Sequence, residues 1–429
     1  MRLSRLFFLA VLFATRLVSA QYVLQDEHDP NRYSRGGIIL PFFFYSPTYK
    51  YGGGLVLYGS GLIQPQAGYY AYALGSTDGT YGLSLGHDDL ELSPIDRLFL
   101  DVQVGYFQDQ SYRAYIDGNP NFVGQPAGIN DSAKDNFFTQ HAIDVYAHLT
   151  FKFLLPIGNG RDGPPVSRYT LEDGILKAGA TGGRGWNPFS SGRTFLQLTP
   201  FVENLSIDTP ESTDFHTDEN GLRFGIVYDN TDFPLNPSRG NVTSFTLSRD
   251  FGWFESSEAW TSVSGEFSQF IDLGRSKIFR QQVIALDLWT SYSPTWDHSV
   301  VNGTRDLTGA PPFYDGASLG GTQRLRAFAE SRFWDRAALY GAAELRVIPG
   351  FNPLGNIQLL KGADITWMQW VAFAELGRVS PTYSAELFSH LKGDVGVGVR
   401  LLANDTIVRF DLAVSNEGAA FLAQLSEAF

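Results

Sequence analysis

The chain has 429 residues and a formal net charge of −13, from 32 basic and 45 acidic residues. This acidic balance excludes nucleic-acid binding as an expected role, because phosphate contacts need clustered Lys and Arg. Cys is absent, which excludes disulfides, thiolate metal sites and cysteine nucleophiles. Beyond the N-terminus no run of about 18 apolar residues exists, which excludes a bundle of membrane-spanning helices.

The first 20 residues have the pattern of an export signal. Arg2 and Arg5 precede an apolar stretch at residues 6–14, and the small residues Ser19 and Ala20 close the segment. We predict a signal peptide cleaved after Ala20; the alternative is an uncleaved helical anchor. Residues 21–37 would then form a short periplasmic N-terminal segment.

From residue 38 onward the chain alternates as β-strands do. Similar two-faced patterns occur at residues 98–106, 222–229, 394–401 and 408–415. In the clearest case Ile143, Val145, Ala147, Leu149, Phe151 and Phe153 alternate with Asp144, Tyr146, His148, Thr150 and Lys152. This run has about the 9 to 11 residues that a tilted strand needs to cross a bilayer. The alternative is a soluble β-sandwich or propeller.

Strands that cross a bilayer predict a closed structure. An open edge in lipid would leave backbone groups unpaired at several kcal/mol each, so the sheet must close on itself. We therefore predict an all-β fold, a transmembrane antiparallel β-barrel formed by residues 38–429 as a single domain. Its apolar face would meet lipid and its polar face a wet lumen.

The connections between these strands have two predicted lengths. Asp78-Gly79 is typical of a tight turn, whereas residues 117–136, 200–220 and 291–313 are predicted as long loops. Short turns and long loops are expected at opposite rims of such a barrel.

One segment imitates an enzyme motif. Residues 82–86, Gly-Leu-Ser-Leu-Gly, match the nucleophile elbow, but that motif needs a strand, a sharp turn and a helix. Here Ser84 lies in a β-patterned stretch, and the acidic residues after His87 are typical of a barrel rim. We predict neither an enzyme nor a metal or cofactor site.

Two segments of the C-terminal half carry a family resemblance. The turn motif in residues 225–240 is matched by Asp229, Pro237, Arg239 and Gly240. Further on come Gly320, Gly321, Leu325, Arg326, Ala327 and Phe328. These segments resemble a strand-turn-strand motif and the signature loop of the bacterial surface antigen superfamily, the BamA- and TamA-like outer-membrane barrels.

Other segments agree with this resemblance. Residues 343–346 and 373–377 are similar to later motifs of the superfamily, and the terminal Phe429 is similar to the aromatic end by which outer-membrane barrels are recognised for assembly. The resemblance implies a barrel of about 16 strands, within the usual range of 8 to 26. It also implies a signature loop folded into the lumen and a weak seam between the first and last strands.

The loop arginine has a physical rationale of its own. An arginine inside a barrel needs carboxylates, which its planar guanidinium can pair bidentately. Glu344 and Glu375 are the candidate partners, because both are assigned to lumen-facing positions of their strands. The alternative is that Arg326 is a solvated loop charge.

Two departures from the superfamily affect the expected function. Ala327 stands where its members usually carry glycine, which predicts a loop tip of different shape or weaker attachment. Residues 21–37 are also too few to form the POTRA domains with which relatives capture clients. The resemblance therefore implies a separate periplasmic partner for any assembly role.

Three functional hypotheses follow. The first is an outer-membrane protein of a Gram-negative-type envelope that contacts outer-membrane lipids and assists protein or lipid translocation or insertion. The second is a passive channel that prefers cations because the chain is acidic. The third, a barrel-embedded hydrolase acting through Ser84, is the least favoured.

Overall fold

The computed structural model describes residues 24–26, 37–46, 50–61, 63–162, 167–180, 182–208, 215–301, 304–352, 354, 365–403, 406–424 and 429. The predicted signal peptide at residues 1–20 lies outside this set, as does most of the predicted segment 21–37. Within these ranges, no helix has both the length and the apolar character needed to cross a membrane.

The described chain is built almost entirely from strands. Three short 3-10 helices, Pro120–Phe122, Gly158–Gly160 and Ala385–Phe388, lie in connections. The strands are β1 (Leu24–Asp26), β2 (Gly37–Ser46), β3 (Lys50–Ser60), β4 (Gly68–Ser76), β5 (Tyr81–Glu91), β6 (Leu98–Ala114), β7 (Phe138–Leu154), β8 (Ser167–Glu172), β9 (Ile175–Ala178), β10 (Arg193–Ile207), β11 (Phe215–Asp229), β12 (Gly240–Asp250), β13 (Thr261–Asp272), β14 (Phe279–Tyr292), β15 (Asp297–Val301), β16 (Thr304–Thr308), β17 (Ser318–Leu319), β18 (Phe333–Trp334), β19 (Ala337–Pro349), β20 (Ile365–Ser380), β21 (Lys392–Ala403), β22 (Thr406–Ser415) and β23 (Ala419–Gln424).

Sixteen strands form one antiparallel sheet in the order β2-β3-β4-β5-β6-β7-β10-β11-β12-β13-β14-β19-β20-β21-β22-β23. Leu40 of the first strand packs against the buried pair Ala403 and Val408, which belong to β21 and β22. The sheet therefore curves until its first strand lies against β21 and β22. The all-β, 16-stranded antiparallel barrel predicted above is confirmed.

The two faces of the sheet differ as the alternation predicts. In β7, Val145 and Leu149 point outward and are 41% and 40% exposed, whereas Lys152 is 2% exposed. Leu286 and Leu345 on distant strands are exposed in the same way. Apolar residues outside and polar residues inside are the arrangement that a lipid environment stabilises.

An even number of antiparallel strands places both ends of the sheet at one rim, here called the terminal rim. The opposite loop rim carries residues 77–80, 115–137, 251–260, 293–336 and 381–391. The tight turn at Asp78-Gly79 therefore shares a rim with the long loops, so the predicted segregation by length is wrong for this turn. The predicted loop 200–220 is also wrong, because β10 and β11 extend through most of it.

That second error has a physical cause. Near the loop rim β10 and β11 carry polar residues such as Glu203, Asn204, Asp218 and Glu219, which are paired across the two strands. Polar composition at the end of a long strand imitates a loop in the sequence, although backbone pairing continues to Ile207 and Phe215.

A small second sheet lies at the terminal rim. Strands β8 and β9 form a hairpin through Asp173 and Gly174, and β1 pairs in parallel with β8. Both turn residues have positive φ, +51° and +73°, which is the backbone of a two-residue hairpin turn. This hairpin belongs to residues 155–192, a long connection at the rim where only short turns were predicted.

The enzyme-like motif is part of a continuous strand. Residues 82–86 lie inside β5, and Ser84 is 2% exposed with its hydroxyl 3.1 Å from that of Tyr146. Gly82 and Gly86 leave room for the rings of Phe107 and Tyr70. The segment therefore lacks the strand-turn-helix geometry of a nucleophile elbow, and its glycines accommodate aromatic neighbours.

Candidate functional site: the luminal loop and its charged anchor

The connection between β14 and β19, residues 293–336, folds into the lumen. Its tip begins at Gly320 and Gly321, whose φ angles are +110° and +104°. The amide of Gly320 donates to the carbonyl of Arg324 at 3.0 Å, and that of Gly321 to the carbonyl of Phe328 at 3.1 Å. These bonds close residues 320–328 into a compact turn, hereafter the loop tip.

Arg326 is the charged centre of the loop tip and is fully buried. Its guanidinium contacts Glu344 at 2.9 Å, Glu375 at 3.0 Å and Asp411 at 2.7 Å. Its backbone amide also donates to Glu375 at 2.7 Å, so this one carboxylate holds both main chain and side chain. The two partners named from the sequence lie beside Arg326, together with a third that was not named.

Two further contacts fix the position of this guanidinium. It lies over the ring of Phe373, 3.5 Å from the ring centre, and the hydroxyl of Tyr340 donates to Glu375. Burial disfavours the charged guanidinium, but Glu375, Glu344 and Asp411 outweigh this and hold the pKa of Arg326 well above its usual value. Arg326 therefore stays charged inside the protein.

Glu344 joins the loop to a second layer of arginines. One of its oxygens binds Arg326, and the other accepts from Arg346 at 2.8 Å and from Arg400 at 2.6 Å. On β22, which neighbours the strand of Arg400, Arg409 lies 3.4 Å from Asp411. Four arginines and four acidic residues are buried together here and are hereafter called the charged anchor: Arg326, Arg346, Arg400 and Arg409 with Glu344, Glu375, Asp394 and Asp411.

Ala327 is accommodated without the backbone conformation that favours glycine. The positive φ angles of the loop tip lie at Gly320, Gly321 and Leu325, not at Ala327. The Ala327 amide donates to Asp394 at 2.9 Å, and its methyl group packs in a cluster with Val371, Phe373 and Ala413. The weaker attachment predicted from this alanine therefore finds no support in the backbone geometry.

The lumen around the loop tip is packed with apolar groups. Leu325 and Phe328 lie in a buried cluster with Trp289, Phe333 and Tyr340. The prediction of a wet lumen from strand alternation is therefore incomplete. The inward-folded loop supplies apolar side chains that strand patterns do not reveal.

Beyond the tip, the same loop is tied to residues 115–137 at the loop rim. Arg332 binds Glu417 at 2.8 Å and donates to the carbonyl of Ser132 at 2.8 Å. Arg305 binds Asp117 at 2.9 Å. These contacts hold the loop at both its buried tip and its outer end.

The turn motif lies at the opposite, terminal rim and does not meet Arg326. Asp229 accepts from the amide and hydroxyl of Thr231 at 2.9 and 2.7 Å, and it pairs with Arg193 at 3.3 Å. Gly240 has φ +100°, and a Cβ there would overlap the carbonyl of Asn230. These two motif positions therefore shape a turn.

The other two motif residues occupy contrasting environments. Pro237 is buried, whereas the side chain of Arg239 is 61% exposed and lies 3.8 Å from Asp232. Asp232 also accepts from the amides of Ser238 and Arg239 at 2.8 and 3.1 Å. Asp232, which the sequence motif did not single out, thus holds the second half of the turn.

This turn also supports the hairpin at the terminal rim. Asn230 accepts from the amide of Gly183 at 3.0 Å and from Ser191 at 2.7 Å. The ring of Phe233 lies 5.3 Å from that of Tyr169 in β8. The turn motif therefore has a structural role in holding residues 167–192.

Phe429 lies against the inner wall. Its ring is 5.2 Å from the guanidinium of Arg346, and it packs against buried clusters that include Phe270 and Leu325. The last residue is thus placed near the charged anchor, five positions beyond the end of β23 at Gln424.

Five charged members of the anchor were not named as partners of the loop. A signal for them exists, because the alternation places Arg400, Arg409 and Asp411 on the polar face of their strands. What sequence could not supply is their depth in the barrel, which decides which inward residue meets the loop. In the described part of the chain, no group of three or more His, Asp or Glu is arranged to hold a metal ion.

Comparison with known proteins gives a family and a fold. The Omp85 superfamily domain matches residues 161–420, more than half of the chain. The structure is similar to BamA from Haemophilus ducreyi lacking POTRA domains 1–3, with 12% identity, a TM-score of 0.50, and coverage of 89% of this chain and 67% of that one. It is also similar to CdiB from Acinetobacter baumannii, with 10% identity, a TM-score of 0.50, and coverage of 90% and 58%. No curated protein matches the chain.

Proposed function

Because the chain belongs to the Omp85 superfamily of outer-membrane barrels, we propose that it assists the translocation or insertion of a protein or lipid client, with the loop tip as its luminal working element. The family and the outer-membrane location in a Gram-negative envelope, both predicted from the sequence motifs, are confirmed. No catalytic step is part of this proposal.

The single observation that supports the proposal most is the contact of Arg326 with three strands. Glu344, Glu375 and Asp411 lie on β19, β20 and β22. Strand β22 is next to the last strand of the sheet, and its Val408 belongs to the buried pair against which Leu40 of the first strand packs. A movement of the loop would therefore act on the strands beside the place where the barrel closes, the weak seam that the resemblance implies.

The proposed partners follow the two ends of the barrel. The exposed apolar band contacts outer-membrane lipids, and the client enters at the terminal rim, which we assign to the periplasmic side. A separate periplasmic protein would deliver the client there. The hairpin of β8 and β9 then lies at the entrance. There it contacts both the turn motif and the ends of β19 to β22 that lie at the terminal rim.

The decisive experiment depletes the protein and measures the outer membrane by quantitative proteomics and lipid analysis. We expect a defined set of outer-membrane proteins, or one class of lipid, to fall in abundance. Wild-type protein should restore it, whereas Arg326→Gln should not, because three buried carboxylates each lose their contact with the loop arginine.

Arg324→Gln is the matched control for this rescue. Arg324 is two residues away in the same loop tip, but among the described residues its ion pair is with one carboxylate, Glu266, at 2.9 Å. This variant should restore the depleted component. An outer membrane of unchanged protein and lipid composition after depletion would contradict the proposal.

A passive, cation-preferring channel is the alternative. The acidic residues along the inner wall favour it, but the packed apolar cluster around the loop tip opposes free passage of ions. Steady conductance with cation selectivity in planar bilayers would support the channel. If wild type shows no conductance but Arg326→Gln does, the result would support a loop that blocks the lumen until it moves. Turnover of lipid or peptide substrates that is lost in Ser84→Ala would instead support the hydrolase.

A further inference from the structure

A cavity of about 200 Å³ lies at the loop rim, away from the charged anchor. Four segments build it: residue 116, residues 217–219, residues 257–260, and residues 307–334 of the luminal loop. It is smaller than the pockets of roughly 300–1,000 Å³ that hold drug-sized ligands. Its size therefore suits a small molecule.

The wall of the cavity contains a buried carboxylate without a hydrogen bond to any described residue. Glu219 lines the cavity and is 1% exposed, yet neither of its carboxylate oxygens has a hydrogen-bond partner among the described residues. Burying a polar group without such a bond is costly, and a buried charge costs more. A ligand that offers a positive charge and N–H donors would remove this cost.

The charges around Glu219 leave it in an acidic environment. Arg223 is an attractive charge for Glu219, but its guanidinium binds Asp315 at 2.8 Å. Glu203 lies directly opposite Glu219 in the strand register and contacts His148 at 3.6 Å. At the mouth, Asp218 and the exposed Glu258 add further negative charge, which attracts cations and repels anions.

The rest of the wall is apolar and aromatic. Phe313, Trp334, Trp260 and Ile116 are buried there, and Leu307 is partly buried beside them. The indole nitrogen of Trp260 is buried and has no hydrogen-bond partner in the described part of the chain. Aromatic faces attract cations, most strongly where water is excluded.

From this combination we propose that the cavity binds a small organic cation, with its ammonium group at Glu219 and its apolar body against Phe313 and Trp334. This site is separate from the proposed translocation role and does not depend on it. The buried unpartnered carboxylate, the aromatic wall and the acidic mouth all select the same class of ligand, an amine with a short apolar or aromatic body.

Isothermal titration of the full chain in detergent tests the proposal, with phenethylammonium as the probe. We expect saturable binding of this cation, and binding at least about tenfold weaker for the neutral phenethyl alcohol, which lacks the charge-assisted bond. Glu219→Gln should weaken binding of the cation by about tenfold or more while leaving the neutral probe unchanged. Glu172→Gln is the matched control, since it removes an exposed charge in the hairpin at the terminal rim, away from the cavity, and should keep affinity within about threefold of wild type.

To check that each variant is folded, samples are heated to increasing temperatures and then run on a gel that does not unfold an unheated barrel. The temperature at which the band of the folded barrel disappears is compared with that of wild type. If Glu219→Gln does not fold, Phe313→Leu is the second variant, because it keeps an apolar wall. It should lower the affinity for the cation by about threefold through loss of the aromatic face. Equal affinity for the cation and the alcohol, no saturable binding to folded wild type, or full affinity in Glu219→Gln would each overturn the proposal.

Discussion

Two segments enter the barrel from opposite rims, and different forces hold them. The loop tip is held by charge, because the guanidinium of Arg326 lies 2.7 to 3.0 Å from three carboxylates. All four groups are fully buried. The hairpin of β8 and β9 is held by apolar contacts, since Ile175 lies in a buried cluster with Ile348, Trp367, Leu402 and Ile407. Its ion pair with the wall, between Arg280 and Asp173, leaves Asp173 71% exposed.

The difference concerns how each segment could move. A buried ion network is stable only with good geometry, and losing one partner leaves uncompensated charges. Apolar contacts are not directional and tolerate small shifts. The loop tip should therefore have one well-defined position, whereas the hairpin should leave its place gradually and at lower cost.

Arg326→Gln should have the largest effect on this contrast. It leaves three arginines against four buried carboxylates, so docking of the loop tip should lose about 3–5 kcal/mol. Because the chain has no Cys, Thr322→Cys provides a single reporter at the loop tip, where Thr322 is 4% exposed. The rate of maleimide labelling at this position should rise by at least about a hundredfold.

Arg324→Gln in the same reporter background is the control. Its partner Glu266 is partly exposed, and its guanidinium also lies 4.1 Å from the ring centre of Trp289. Docking should lose only about 1 kcal/mol. Equal labelling rates in the two variants would mean that the pairing of Arg326 with three carboxylates holds the loop tip no more firmly than the single ion pair of Arg324.

Gly240→Ala should have the next largest effect, on the turn that supports the hairpin. At φ +100° a side chain is strained, and its Cβ would overlap the carbonyl of Asn230. A cost of about 3 kcal/mol is expected, measured as a lower unfolding temperature of the barrel band. Gly418→Ala is the control, because a Cβ there meets nothing within 4 Å; a similar loss in both variants would contradict this account of Gly240.

Ile175→Ala tests the apolar side of the comparison. Removing most of a buried side chain should weaken docking of the hairpin by about 2 kcal/mol, the low end for such changes because a rim site can collapse. Labelling of Leu176→Cys in the hairpin should rise, whereas labelling of Thr322→Cys should not change. A rise at both reporters would show that the two segments move together.

Much of the barrel could be predicted because alternation is a local property. The run at residues 143–153 lies within β7, and the exposed Val145 and Leu149 face outward as the pattern requires. The hairpin at residues 167–178 escaped prediction although Asp173-Gly174 is a strong turn signal. Its strands are short and lie outside the series of long spanning strands, so their period could not be read.

The anchor shows the corresponding limit for the site. Glu344 and Glu375 could be named because both lie at lumen-facing positions of segments that resemble later motifs of the superfamily. Asp411 lies 85 residues from Arg326, and the pairing of β19 to β22 together with the inward fold of the loop brings the two together. Which inward carboxylate reaches the loop depends on register and depth, and neither is a local property of sequence.

Arg280→Gln should have the smallest effect and completes the contrast. The ion pair with Asp173 spans 2.8 Å, but Asp173 is largely exposed, so its contribution should stay below about 1 kcal/mol. Salt near 1 M shortens the screening length to about 3 Å and should give Leu176→Cys the same slight rise in labelling that Arg280→Gln gives. Labelling of Thr322→Cys should be insensitive to salt, because the Arg326 anchor is shielded from solvent ions. If salt released the loop tip as readily as the hairpin, the buried network would be accessible to water, and the distinction between a charge-fixed loop and an apolar hairpin would fail.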